Sequence, residues 1–351
     1  MRIAFVHDRV LTIGGAEKVF FQLVQLNNVE ESEIFTVFSD KNYVEIDGKK
    51  IKINALIKND FLLNKIGYRN LMPFFPILTF ILGKKIKKYN PNKIIISSFA
   101  IGKNINTYNS ISQLYLHSPM QYIWDSYEEY IDKLNGIKKL IFIICAKYLR
   151  YWDKKFTKFS TIEFNSEYTQ KLAKEIYNID GKVKYPPIPK KYLDSIIINE
   201  TKDYYIYIGR VVKFSKELDK IIQLFNYTGD KLVIIGSGPD EIELKKLSNS
   251  NIKYLGYISD DNEICRILNQ SRGLINITKE SYGIVTAQAL ACGIPVFGYN
   301  QGQSKYLVNH NQGILVENKD FHTLLKQFEI FKNTEFNKQE IKDIFIKNYK
   351  Y

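Results

Sequence analysis

At 351 residues, 45% hydrophobic and 25% charged, the chain is long enough for two ordinary domains and too apolar to be disordered. Its net charge of +13 is gathered in the first half, where residues 1–185 carry 28 Lys/Arg against 18 Asp/Glu. The longest uncharged apolar run, Leu71–Leu82, is broken by Pro73 and Pro76 and falls short of the roughly 20 residues that span a bilayer, which excludes a membrane-spanning chain.

The opening M-R-I-A-F-V-H-D reaches a charge too early for a signal peptide. The first predicted strand is Ile3–His7, followed by a Gly14-Gly15 turn. A helix over Ala16–Leu26 comes next, with Val19, Phe20, Leu23 and Val24 at helical spacing. Glycine in such a turn lets backbone N–H groups approach a phosphate, and serves equally well in an ordinary turn. Within 51–100, Lys52, Lys58, Lys65, Arg69, Lys84, Lys85, Lys87, Lys88 and Lys93 face one acid, Asp60. Further strands are predicted at 33–38, 93–98 and 112–117.

The last of these ends in His117, within L-Y-L-H-S-P-M-Q-Y-I-W-D (114–125). A histidine there reads either as a structural hydrogen bonder or as a group facing a ligand. Met120, Tyr122 and Trp124 can flank a sugar ring or simply pack. A helix follows Asn165-Ser166, with Ser166 as its N-cap. Y-P-P-I-P at 185–189 marks the domain linker, because such a run can neither continue a helix nor sit in a central strand.

Beyond the linker, strands at 204–208, 231–235, 252–255, 273–277, 295–298 and 313–316 alternate with helices at 216–227, 239–248, 260–270, 283–292, 302–308 and 319–332. A last amphipathic segment covers 336–350. Short apolar strands alternating with helices make a buried parallel sheet covered on both faces, a doubly wound α/β fold. Ligands of such sheets bind beyond the carboxyl ends of strands, where His7-Asp8, His117, Gly209-Arg210, Gly236-Ser237-Gly238 and Glu280 all fall.

The glycine pair Gly236 and Gly238 imitates a dinucleotide fingerprint, but residue 241 is Glu and the next strand ends in Gly256-Tyr257 without a ribose-binding acid. That excludes a nicotinamide dehydrogenase. Cys145, Cys265 and Cys292 lack metal-ligand spacing and read as reduced, buried thiols. Arg210 and Lys216 together can neutralise a diphosphate leaving group, with Lys213 as a rival for the second role.

The most informative stretch is E-S-Y-G-I-V-T-A-Q at 280–288, running into A-L-A-C-G-I-P-V at 289–296. An acid precedes a helix that opens at Gly283, and a helix N-terminus presents unpaired N–H groups and a positive dipole end to a phosphate. This stretch resembles the signature of the retaining glycosyltransferases of family four: Glu, seven residues, Glu, then a helix ending in A-x-G-x-P-V. Gln288 stands where that pattern has its second glutamate; its amide oxygen can still accept the same hydrogen bonds, without charge assistance.

The resemblance runs from Arg2 through Asp320. H-S-P-M-Q-Y-I-W-D at 117–125 and N-S-E-Y-T at 165–169, leading into Y-P-P, are similar to bacterial mannosyltransferases of O-antigen and lipid-linked oligosaccharide assembly. It implies a GT-B fold, with Rossmann-like domains at 1–185 and 190–334 facing across a cleft and 335–351 returning to the first. The implied reaction moves a hexose, mannose from GDP-mannose first, to a glycan or polyprenyl-linked acceptor with retention. A UDP-sugar transferase and an inactive sugar-nucleotide-binding relative are the alternatives.

The roles the resemblance implies are specific. Gly14 and Gly15 approach the donor's phosphates and sugar, while His117 and Glu280 contact the sugar. Gly209-Arg210, Lys216 and the amides of Gly283, Ile284 and Val285 hold the diphosphate. Gly236 and Gly238 with Tyr257 and Ile258 wall the nucleotide, and Gln288 takes the ribose. No metal or other cofactor is implied, since no Asp-x-Asp site occurs and basic residues can carry the charge work. A Lys-dominated basic half beside an apolar run fits an anionic membrane surface better than nucleic acid, which calls for aromatics interleaved with Arg. A solvated basic face is the plain alternative. The resulting expectation is a cytoplasmic protein, peripheral on the inner face of the cytoplasmic membrane.

Overall fold

A computed structural model of the chain describes residues 1–11, 14–27, 31–58, 68–108, 110–156, 158–197 and 202–349; Asp60 and Lys65 of the basic stretch lie outside them. Two compact units divide at Y-P-P-I-P: Met1–Tyr185 and Pro186–Tyr351.

The first unit is built on eight strands, β1 (Arg2–Val10), β2 (Glu31–Ser39), β3 (Tyr43–Ile46), β4 (Lys49–Ile57), β5 (Lys93–Ser98), β6 (Ile111–Leu116), β7 (Thr161–Phe164) and β8 (Lys182–Val183). Their order is β3-β4-β2-β1-β5-β6-β7-β8, and every neighbouring pair is parallel except β3 with β4. Strand β1 runs three residues past the expected His7, because β2 keeps pairing with it through Val10↔Ser39.

Alternate residues feed the two faces of this sheet. Ala4, Val6, Ile94, Ile96, Leu114 and Leu116 pack on one side, and Ile3, Phe5, Ile34, Ile53 and Ile95 on the other. The β3–β4 hairpin was not among the sequence expectations, although Asp47-Gly48, both at positive φ, is the strongest short hairpin signal; Glu45 before it and Lys49, Lys50 and Lys52 after it disguised the strands. Helix Gly136–Asp153 was also missed.

That helix ends in a buried ion pair. Lys103, wholly buried, donates to Asp153 Oδ1 and to Ala100 O at 2.9 Å. Asp153 Oδ2 accepts from Trp124 Nε1 at 2.8 Å and Tyr177 OH at 2.6 Å. Trp124 therefore serves the fold through its indole N–H, and Met120 is fully buried.

The second unit has six parallel strands, β9 (Tyr205–Ile208), β10 (Leu232–Ile235), β11 (Ile252–Gly256), β12 (Leu274–Asn276), β13 (Val296–Tyr299) and β14 (Gly313–Val316), in the order β11-β10-β9-β12-β13-β14. An aromatic cluster packs one face, with Tyr205, Phe225, Phe297 and Phe331 each within 5.1–6.4 Å of Phe328 or of one another, centroid to centroid.

The sequence reading sends 335–351 back to the first domain. Helix Lys338–Asn348 instead groups with the second unit, where it packs on Ile284–Ala291 and is tied to the linker. Tyr349 OH donates to Pro186 O at 2.8 Å and accepts from Ile188 N at 2.7 Å, and Lys342 Nζ donates to Ser195 O at 2.6 Å. Cys265 and Cys292 are buried and free, their Sγ atoms 3.8 Å apart; Cys145 is only partly buried, contrary to expectation.

Breaking the buried pair is expected to be severe. Lys103→Met leaves the Asp153 carboxylate without its cation in a dry site and should remove about 3–5 kcal/mol of stability. Lys174→Met, on the exposed pair with Asp180, should leave the denaturant midpoint within error. Chemical denaturation of both variants checks the contrast.

Candidate active site

Each sheet has a switch point, where strand order reverses, and these are the places where doubly wound sheets bind ligands. In the second unit it lies between β9 and β12, beyond their carboxyl ends. Glu280 sits there, in the loop after β12. Its Oε1 is 2.5 Å from Lys216 Nζ and its Oε2 accepts from Asn276 Nδ2 at 3.2 Å. Its backbone is clamped as well: Glu280 bridges Gly302, and its carbonyl accepts from Gln303 N at 2.9 Å. A carboxylate can accept about four hydrogen bonds. Two are used here and 21% of the side chain is open, so Glu280 is rigidly placed and still able to accept from a ligand.

The structure separates the two rival lysines. Lys213 is tied to Glu243 and its amide to Asp240, whereas Lys216 is the one beside Glu280. The expected helix over 216–227 is in fact two, Lys213–Lys216 and Leu218–Thr228, with Glu217 between them at φ +53°. Arg210 is exposed, and among the described residues its guanidinium has no partner. Its carbonyl accepts from Tyr207 OH at 3.0 Å. Burial, and secondarily the Glu280 charge, keep that phenol protonated. Asn276 and Tyr207 are site residues that sequence reasoning missed; both point from strands that read as ordinary core.

Helix Ile284–Ala291 starts at Gly283, whose φ of +80° and lack of a capping side chain leave the first turn bare. Among the described residues nothing accepts from the amides of Ile284 and Val285. A Cβ on Gly283 would stand 3.1 Å from Glu280 Oε2 and 3.4 Å from Thr286 Oγ1, so glycine lets the carboxylate lie against the turn. Gln288, 9% exposed, makes no side-chain hydrogen bond among the described residues.

Gly236 and Gly238 have a packing role that the fingerprint analogy hid. A Cβ on Gly236 would stand 1.8 Å from Gly209 O, and one on Gly238 2.0 Å from Val211 O. The two loops run side by side, Val211 N donating to Ser237 O at 3.0 Å. Tyr257 is 70% exposed on the loop after β11, with partly buried Ile258 beside it.

In the first unit the switch point lies between β1 and β5. Here Asp8 is buried and fully engaged: it accepts from the amides of Phe99, Ala100, Ile101 and Gly102 at 2.6–3.1 Å and from Ser98 Oγ at 3.1 Å. His117 is 6% exposed. Its Nε2 meets Ser97 Oγ at 2.7 Å and its carbonyl accepts from Thr169 Oγ1 at 3.0 Å. The carbonyl of the same Ser97 accepts from His7 Nδ1 at 2.8 Å. Gly14 N donates to Glu17 Oε2 at 3.0 Å, so the glycine turn is capped by its own helix.

Both histidines are held neutral. Burial, then the neighbouring His7, pushes His117 down to about 3, and burial lowers His7 against the opposing pull of Asp8 and Glu17. The unfolded imidazoles, near 6.5, take up protons that the folded ones refuse. Stability is therefore intact above about pH 6.5 and falls as pH drops toward 3, with a slope approaching about 1.4 kcal/mol per pH unit for His117 and a contribution of the same sign from His7. Denaturation midpoints between pH 7.5 and 4 should reveal this, with a shallower slope in His117→Gln.

Residues 190–349 match the family described as Glycosyl transferases group 1. The match falls on the second unit, which is similar to group 1 glycosyl transferases. A 173-residue stretch, 46% of the chain, is 25% identical to N-acetyl-alpha-D-glucosaminyl L-malate synthase of Bacillus anthracis and spans only 45% of that relative. Among solved structures, the lipopolysaccharide outer core galactosyltransferase WaaB aligns over 99% of this chain and 96% of its own, with TM-score 0.59 and 14% identity. The Anabaena protein HepE, solved with UDP and glucose, aligns over the same shares with TM-score 0.62 and 13% identity. The chain thus has the two-domain α/β fold of GT-B glycosyltransferases.

Proposed function

We propose that this protein transfers a hexose from a nucleotide diphosphate sugar to a glycan or polyprenyl-linked acceptor, with retention at the anomeric carbon. The observation that carries the reading is the cluster at the β9/β12 switch point: an uncapped helix N-terminus, a carboxylate with open acceptor positions, and two cations. In this reading the Gly283–Val285 amides, Arg210 and Lys216 take the diphosphate, and Lys216 stabilises the charge that builds on it as the glycosidic bond breaks. Glu280 accepts hydrogen bonds from sugar hydroxyls and Gln288 from the ribose. His117 in the first unit is the proposed sugar contact on the strength of the 117–125 resemblance alone. Because it stays neutral, it acts by hydrogen bonding and not as a charge.

Retention through a covalent glycosyl-enzyme would need a second carboxylate as nucleophile. Same-face attack assisted by the departing phosphate needs none, and it is the mechanism we assign. Charge neutralisation by Arg210 and Lys216 makes a metal unnecessary, so turnover in excess EDTA should match that without it. Mannose from GDP-mannose is the first donor, on the resemblance to O-antigen mannosyltransferases. A UDP-hexose is the second, favoured by the UDP and glucose held in HepE. The peripheral, inner-face location belongs to the same reading, through the lipid-linked acceptor.

Donor hydrolysis and transfer assays test the site. Glu280→Gln and Lys216→Ala should each lower kcat by about 100-fold or more with melting temperatures close to wild type, and Lys213→Ala should be silent. An active Glu280→Gln enzyme overturns the assignment. For the ribose, Gln288→Glu restores a charge-assisted bond and should tighten nucleotide diphosphate binding, measured calorimetrically, by about 1–2 kcal/mol at most.

A further inference from the structure

Two helices of the first unit turn apolar side chains outward at helical spacing. On Gly136–Asp153, Ile137, Leu140, Ile141, Ile144, Tyr148 and Tyr151 are 48–68% exposed. At the pitch of an α-helix these six fall on one stripe about 100° wide. The opposite side, with Ala146, Leu149 and Asp153, is the one that packs inward. A helix that serves only its own fold hides its apolar side; this one has a second.

The helix Phe75–Tyr89 repeats the pattern. Phe75, Thr79, Leu82 and Ile86 are buried, while Ile77, Phe80 and Ile81, with Phe74 just before them, are 45–57% exposed. Its second half turns Lys84, Lys85, Lys87 and Lys88 to solvent. The turn Tyr68–Phe74 that leads into this helix packs against Gly136–Asp153, so the two helices are linked through that turn within one unit. Neither 68–89 nor 136–152 contains an acidic residue, and Lys138, Lys147 and Lys154 border the longer stripe as exposed cations.

We infer that Gly136–Asp153 lies flat in the headgroup region of an anionic bilayer, its isoleucine–tyrosine stripe inserted, with the lysines of 84–88 on the lipid phosphates. This deepens the reading above and rests on it only for why such contact is useful, namely access to a lipid-linked acceptor. Among the described residues no helix is long and apolar enough to cross a membrane, which leaves the interfacial plane. A wide apolar stripe edged by lysines, with tyrosines at one end, is the profile of a helix that lies there. Charge decides between a lipid surface and a second copy of the chain: pairing two such faces would bring like-charged lysine borders together, whereas anionic headgroups complement them.

Sedimentation of the full chain with vesicles, without donor or acceptor, tests this. Binding to phosphatidylcholine vesicles containing phosphatidylglycerol should exceed binding to phosphatidylcholine alone by about tenfold or more and weaken steeply with salt. Ile141→Gln/Ile144→Gln, at exposed positions, should lose that binding with an unchanged melting temperature and unchanged soluble donor hydrolysis. Exchanging Lys84, Lys85, Lys87 and Lys88 for Gln should weaken it independently.

Wild-type-like binding by the Ile141→Gln/Ile144→Gln variant overturns the inference, as does equal binding to neutral and anionic vesicles. So does a dimer on gel filtration that the same variant dissolves while no vesicle binds, which would assign the stripe to a second copy. Failure of the glycosyltransferase reading would appear separately, as absent donor hydrolysis with vesicle binding intact.

Discussion

The interaction on which the first unit depends is the saturation of one buried carboxylate. Strands β1 and β5 are central neighbours in its sheet, and parallel pairing alone leaves the loops beyond their carboxyl ends unsatisfied. Asp8 closes that gap by accepting from four successive amides and a hydroxyl in 98–102, a concave row of N–H groups of the kind that elsewhere captures anions. With its anion supplied by the chain itself, this nest is part of the scaffold. It holds Ser97 in place, and Ser97 in turn addresses both His7 and His117.

Glu280 also lies at a switch point, in the loop after β12 of the second unit, and differs in one respect that matters for chemistry. It is fixed by a lysine, an asparagine and a backbone bridge, yet part of its carboxylate is open. The adjacent helix begins without a cap, unlike those begun by Ser166, Asp260, Asp320 and Asn337, whose side chains accept from their own first-turn amides. Rigid placement with unused hydrogen-bonding capacity is what a preorganised ligand site requires. The Lys216–Glu280 pair also holds two opposite charges together at this edge of the sheet.

Much of this was legible in the chain. Runs such as K-I-I-I-S-S and the alternation after the linker specify parallel strands because both faces of such a sheet are buried. Ser166 as a cap, the break at Y-P-P-I-P and the position of Glu280 before a glycine-led helix follow from local backbone chemistry. What was not legible shares a cause. Gly236 and Gly238, read from the resemblance as walling the nucleotide, also let the neighbouring loop of Gly209–Val211 pack against them, which needs their missing side chains. The final helix groups with the second unit, not with the first as its amphipathic pattern and the resemblance suggest, because Tyr349 reaches Pro186 and Ile188, a pairing far apart in sequence.

By itself the sequence determined the periodicities, the caps and breaks, and the placement of chemically competent residues at strand ends, since each depends on neighbours within a turn or two. Only the tertiary structure decided which of those residues are occupied. Asp8 is saturated and Glu280 is open, Lys216 faces the site and Lys213 is held elsewhere, and Lys103 finds Asp153 across fifty positions. Hydrogen-bond saturation, burial and ion pairing are set by groups distant along the chain and close in space, and no local pattern carries that information.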